Sequence, residues 1–193
     1  VEKDSQLKTN DFVKKMAKYT GVKYAVARVN GTSALQISLE IIGVKKGDEV
    51  IAPSLTFIAP INAINYNDAK PIFMDIDRYY TIDIDKTVNF LNQQTNTITK
   101  KNHTRNSKIT INKKTGRRIA ALLVVHTFGN AVNLDKLVSL CRKKNIVIIE
   151  DAAESVGTFY KSSKFKNKHT GTIGKIGCLS FNGNKIITAG GGG

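Results

Sequence analysis

The chain has 193 residues, enough for one domain with a substantial core, and its 41% hydrophobic content excludes a disordered polypeptide. No apolar run approaches the roughly 20 residues of a membrane helix, and Val1-Glu2-Lys3-Asp4 starts no signal peptide, so a cytoplasmic location without a membrane partner is expected. The formal charge of +15 raises nucleic acid, but 24 of the 30 basic residues are lysines scattered over helix faces and loops; without interleaved aromatics or zinc spacing they predict a solvated surface that attracts an anionic small substrate, with no nucleic acid and no metal.

Residues 11–19 read as an amphipathic helix with Phe12, Met16 and Tyr19 on one side, ended by Gly21. Residues 24–29 read as a short strand, and Asn30-Gly31-Thr32-Ser33 opens a second helix that Gly43 closes. A strand is predicted at 49–53, a helix at 59–65, a strand at 71–75 and a helix after Asp83 that runs to Asn92. A buried strand at 119–125, a helix at 134–144 and strands at 146–150 and 176–181 complete the series. Strands alternating with helices predict an α/β fold, a mostly parallel mixed sheet between helices. Residues 93–118 are polar and basic and break the rhythm. Within them 108–112 alternates like a strand, 113–116 looks like a turn and 117–119 like a return, so 93–118 is either a surface hairpin insertion or a loop. Cys141 and Cys178 lie in apolar surroundings on different elements and are expected to pack as free thiols. The missing initiator Met and the four terminal glycines, which usually serve a turn with more chain after it, suggest a piece of a longer protein.

Ligands of open α/β sheets bind beyond the carboxyl ends of the strands, and four groups fall there. Thr32 and Ser33 start a helix whose free N–H groups can cradle a phosphate, or they serve as its simple N-cap. Phe57, after the strand at 49–53, can stack on a flat ring or pack in the core. Asp151 ends an aliphatic run and, buried there, needs a cationic partner, unless it caps a helix; Glu154 lies three residues on and faces the same way on a helical turn. Ser180 can donate to a phosphate, and Lys185 stands between an apolar strand and the glycine run. A strand-end carboxylate and a strand-end lysine are what pyridoxal 5'-phosphate chemistry requires. The lysine amine holds the aldehyde as a Schiff base, and the carboxylate keeps the ring nitrogen protonated.

These residues resemble the pyridoxal-phosphate-dependent sugar aminotransferases of the DegT/DnrJ/EryC1/StrS group. The matching segments are Gly31-Thr32-Ser33-Ala34-Leu35, Gly47-Asp48-Glu49-Val50-Ile51, Pro53-Ser54-Leu55-Thr56-Phe57 and Ala69-Lys70-Pro71. They continue in order through Val125-His126-Thr127-Phe128-Gly129-Asn130, Glu150-Asp151-Ala152-Ala153-Glu154, Gly177-Cys178-Leu179-Ser180-Phe181 and Asn184-Lys185-Ile186-Ile187-Thr188. The resemblance implies the large domain of the aspartate-aminotransferase type, incomplete over 1–193 and without the small C-terminal domain. It implies Lys185 as the cofactor lysine, Asp151 as the partner of the ring nitrogen and Phe57 as the stacking aromatic. Thr32, Ser33 and Ser180 take the phosphate positions, and Glu154 lies near the ring hydroxyl. The implied reaction is transamination of a nucleotide-linked 4-keto-6-deoxy sugar with glutamate as amino donor, in a homodimer. The segment 181–187 and the insertion are most similar to enzymes that aminate C4 of UDP-linked 4-keto-6-deoxy-N-acetylhexosamines. A sugar dehydratase of the same family would carry histidine in place of Lys185, and a non-catalytic fragment or interaction module is a further alternative.

Overall fold

The structure, a computed structural model, describes residues 2–101 and 106–193; Val1 and residues 102–105 of the expected insertion lie outside the described residues. In chain order the elements are α1 (Glu2–Thr20), α2 (Gly31–Ile41), β1 (Glu49–Pro53), α3 (Ile58–Tyr66), β2 (Lys70–Met74), α4 (Ile84–Gln93), β3 (Thr95–Lys101) and β4 (Asn106–Asn112). After them come β5 (Ile119–Val125), a single 3₁₀ turn (Thr127–Gly129), α5 (Asp135–Lys144), β6 (Val147–Asp151) and β7 (Ile176–Cys178).

Continuous apolar runs make the centre of the sheet. All of β5 is buried, as a strand covered on both faces must be. It lies between β1 and β6 in the order β2-β1-β5-β6-β7, and every pair in that sheet is parallel. Side chains alternate across the sheet, so one face gathers Val50, Ala52, Leu123, Val125 and Ile149 against Leu35 and Leu39 of α2 and Ile64 of α3. The other gathers Ile51, Leu122, Val124 and Ile148 against Leu91 of α4 and Leu137 and Cys141 of α5. The expected mostly parallel sheet between helices is therefore present; the antiparallel β3–β4 hairpin forms a separate two-stranded sheet. Cys141 and Cys178 are buried free thiols, both pushed up to about 12 by burial. No helix among the described residues is long and apolar enough to cross a membrane.

Three expectations change. Residues 24–29 form no strand. A segment becomes a strand only beside a neighbour, and among the described residues the backbone partners of this one are Gly192 and Gly193: Arg28 N–H donates to Gly193 O at 2.7 Å and Gly192 N–H to Val29 O at 3.1 Å. A cavity of about 970 Å³, lined by Tyr24, Val26, Ile37, Ile176 and Phe181 among others, adjoins the segment and β7. The last strand is also shorter than expected. Its partner β6 ends at Asp151, so the ladder stops at Asp151↔Cys178 and residues 179–181 run past the sheet end. Finally, the partner of β4 is β3, from Thr95↔Asn112 to Lys101↔Asn106, with the 113–116 turn making only a short return at Ile111↔Arg118. β3 has no apolar alternation; its signal is the β-branched series Thr95, Thr97 and Thr99. Thr110 and Asn112 of β4 tie the hairpin to the amino-terminal end of the sheet, through Lys144 O and Glu49 Oε2, far from the strand ends that carry the candidate site.

Candidate active site

The end of β6 sends two carboxylates to opposite faces. Glu150 is fully buried. Its Oε2 accepts the Gly171 N–H at 2.9 Å and lies 2.9 Å from His126 Nε2, and its Oε1 accepts the N–H groups of Ile173 and Gly174. His126 Nδ1 accepts the Val132 N–H at 3.1 Å, so its hydrogen is on Nε2 and is donated to Glu150. Burial alone would raise the Glu150 carboxyl, but His126 and the Gly174 and Gly171 amides outweigh it and hold it below the usual carboxylate range. Four donors on one carboxylate join the ends of β5 and β6 to the loop that leads into β7. Glu150→Gln places an NH₂ group against those donors, and it is expected to lower the unfolding free energy by on the order of 3 kcal/mol. Urea denaturation reads this directly; an unchanged midpoint would show that the network carries no stability.

Asp151, 6% exposed, faces the other way. No helix follows it, so it is not a helix cap; its Oδ1 accepts the Ala153 N–H at 3.0 Å in a tight turn, and its Oδ2 accepts no hydrogen bond among the described residues. Burial pushes its carboxyl up to about 6, and the Ala153 amide and the Lys185 ammonium draw it only partly back. Lys185 sits on the loop beyond β7, which returns to Phe181 through the Thr188 hydroxyl and the Ala189 N–H. Its side chain is 12% exposed, with Nζ 3.7 Å from Glu154 Oε1 and 5.5 Å from the Phe57 ring centroid. Phe57 is 64% exposed at the head of α3 and is not a core residue.

The α2 start meets the same end of the sheet. Its N-cap is Asn30, whose Oδ1 accepts the Ser33 N–H at 2.8 Å, and not Thr32 or Ser33. Thr32 and Ser33 occupy the half-buried first turn. Gly31 lets this turn approach the buried Ser180, because a Cβ there would stand 3.1 Å from Ser180 Cβ. The structure thus brings Lys185 to Phe57 and Glu154, with Asp151 near enough to feel its charge, and the α2 start to Ser180, all at the carboxyl ends of β1, β6 and β7. Two further hydroxyls, Thr56 Oγ1 after β1 and Thr127 Oγ1 after β5, are buried without a hydrogen-bond partner among the described residues.

Sequence reasoning missed two features of this region. His126 and Phe128 were visible as part of a matching segment, but no local pattern marks their partners 24 and 26 residues on. Phe128 has φ 54° and ψ 24°. This left-handed backbone costs a side-chain-bearing residue about 1–2 kcal/mol, and its N–H donates to Glu154 Oε2 at 2.9 Å.

A family model for the DegT/DnrJ/EryC1/StrS aminotransferase family matches residues 5–193. The chain is 37% identical over 183 residues to a GDP-perosamine synthase of Escherichia coli O157:H7, covering 94% of this chain and 42% of that protein. It is 37% identical over 184 residues to a putative pyridoxal phosphate-dependent aminotransferase, EpsN, of Bacillus subtilis strain 168, covering 95% and 42%. Among solved structures, a DegT/DnrJ/EryC1/StrS aminotransferase from Brucella abortus superposes with a TM-score of 0.78 at 28% identity, covering 95% of this chain and 44% of that one. The chain spans about 42% of the length of these curated relatives. Sequence and fold agree: this chain belongs to the DegT/DnrJ/EryC1/StrS aminotransferase family.

Proposed function

We propose that this chain forms part of the large, cofactor-holding domain of a pyridoxal-phosphate-dependent aminotransferase, with 93–118 as a surface insertion. Its substrate is a nucleotide-linked 4-keto-6-deoxy sugar and its amino donor glutamate. The observation that carries the reading is a shielded amine beside an exposed aromatic ring and a buried carboxylate with an uncommitted oxygen, Lys185, Phe57 and Asp151. These residues fit pyridoxal phosphate. Lys185 would hold the aldehyde, Phe57 would cover a ring face, and Asp151 would take the ring N–H that its burial calls for. The α2 start with Thr32 and Ser33, together with Ser180, would take the phosphate. When bound, the cofactor supplies an aldehyde that captures amines and a protonated ring that draws electrons from the reacting carbon.

The chain's own residues do the rest. Lys185 Nζ takes a proton from the reacting carbon and returns it to the product carbon; its low exposure keeps bulk water from competing. Asp151, already oriented by the Ala153 N–H, would set its negative charge against the protonated ring nitrogen of a bound cofactor. Glu154 holds Lys185 in reach through their ion pair and would face the ring hydroxyl of a bound cofactor. The relative named a GDP-perosamine synthase supports a sugar-nucleotide substrate; the finer reading is a UDP-linked 4-keto-6-deoxy-N-acetylhexosamine, processed by a homodimer.

The full-length protein should develop visible absorbance on titration with pyridoxal phosphate. After borohydride reduction, peptide mass spectrometry should find the cofactor mass on the peptide carrying Lys185. Labelling of another lysine instead, or of none, overturns the proposal.

A further inference from the structure

We propose that Phe128 and Tyr80 form a subsite for the apolar C–H face of the acceptor's sugar ring, an inference that rests on the sugar aminotransferase reading above. Both are bulky aromatics with left-handed backbones, Phe128 at φ 54° and Tyr80 at φ 63°. Both are exposed, 68% and 52%, so neither ring fills a core. They meet edge to face with centroids 5.9 Å apart and planes at 75°. A loop built only to turn would place glycine or asparagine at such positions, and Gly129 beside Phe128 indeed has φ 84°. Strain retained on two exposed rings that face each other points to what the rings touch rather than to the turns.

Polar groups fix the backbone that carries each ring. The Phe128 N–H donates to Glu154 Oε2. Asp77 locks the other loop by accepting the Tyr79 and Thr81 N–H groups and the Thr81 hydroxyl, and its carbonyl accepts the Tyr80 N–H. Asn130 Nδ2 donates to Tyr79 O at 3.1 Å and ties the two loops together. The position of the pair selects the part of the substrate that it meets. Glu154 links the Phe128 amide to the Lys185 amine through its two oxygens. In the half-reaction with the keto sugar, Lys185 delivers its proton to a sugar carbon, so the group adjoining Phe128 in that half-reaction is the hexose ring with its 6-methyl, and the nucleotide lies farther out. Aromatic rings offer such C–H groups a large rigid surface at low entropic cost.

Phe128→Asn in the full-length protein tests this, because asparagine tolerates the left-handed backbone and keeps the amide that Glu154 accepts. The KM for the UDP-linked keto sugar should rise about 10-fold or more. The half-reaction with glutamate, followed by cofactor absorbance, should stay within about 2-fold of wild type, as should inhibition by free UDP; only a contact with the sugar ring itself separates these readings. An unchanged KM, an equal loss with glutamate, or weaker UDP binding (the rings then stack on the base) each overturns the subsite. A second readout needs no cofactor. In saturation-transfer NMR with UDP-N-acetylglucosamine, wild type should saturate sugar-ring protons and Phe128→Asn should lose that signal while keeping the uracil signal. Absent sugar saturation in wild type also overturns the subsite, whereas failure of pyridoxal phosphate to bind overturns only the catalytic reading.

Discussion

Lys185→Ala is expected to abolish the visible band of lysine-bound cofactor and to lower turnover by more than about 10³-fold. Two roles are lost together. Proton transfer by one positioned side chain contributes roughly 10²–10⁴-fold, and covalent capture of the aldehyde is lost as well. The fold should not notice. Lys185 lies on a loop beyond the last strand, and its ionic partner Glu154 stands at 3.7 Å without a hydrogen bond. Among the described residues Lys185 Nζ makes no hydrogen bond that the fold depends on, so the urea midpoint should move little. Glu154 keeps the Phe128 N–H through its other oxygen, and the neighbouring loop therefore stays in place. Added small primary amines should restore part of the rate by replacing Nζ as the proton carrier. Wild-type absorbance and turnover in the variant would end the assignment of Lys185; an unfolded variant would place the lysine in the fold instead.

The sheet was legible because a parallel strand buried on both faces has to be a continuous apolar run. The predicted bounds of β5 coincide with the observed ones, and those of β6 are off by one residue. Pairing was not legible. Residues 24–29 alternate like a strand, yet pairing is decided by neighbours distant in sequence, and here, among the described residues, only Gly192 and Gly193 respond. The first helix begins at Glu2 rather than near residue 11, because its leading turns rest on helix-forming Lys and Gln and present no apolar stripe; Leu7 is exposed. At the site, chemical type was legible at Asp151 and Lys185, since an acid and an amine at strand ends are conspicuous. Glu150 carries no assigned role in the sequence, although its opposite facing to Asp151 follows from strand alternation alone. Its partners at 171–174 come from a loop with no regular pattern. The strain at Phe128 and Tyr80 was out of reach, because a left-handed φ at a bulky residue is imposed by tertiary contacts and contradicts local preference.

Asp151→Asn should produce opposite changes in stability and activity. In the cofactor-free protein the Asp151 carboxyl sits at about 6, against about 3.9 in an unfolded chain. Below pH 4 both states hold the proton, and the side chain costs the fold nothing on that account. Between pH 4 and 6 the unfolded chain releases its proton first, so stability falls as pH rises, and above pH 6 the full penalty of up to about 3 kcal/mol is present. Asparagine keeps the Oδ1 that accepts the Ala153 N–H and carries no charge. The cofactor-free variant should therefore be more stable than wild type at pH 8, by up to about 3 kcal/mol, and equal to it at pH 4. Urea denaturation at the two pH values measures both. Turnover should fall by about 10²–10³-fold or more, the usual loss when a group placed for a developing charge is removed. Saturating pyridoxal phosphate should reverse the stability order, because a ligand that pairs with the carboxylate stabilises only the wild type through that contact. If cofactor-free wild type is the more stable protein at pH 8, then Lys185 already neutralises Asp151, and the buried acid is not waiting for a ring cation.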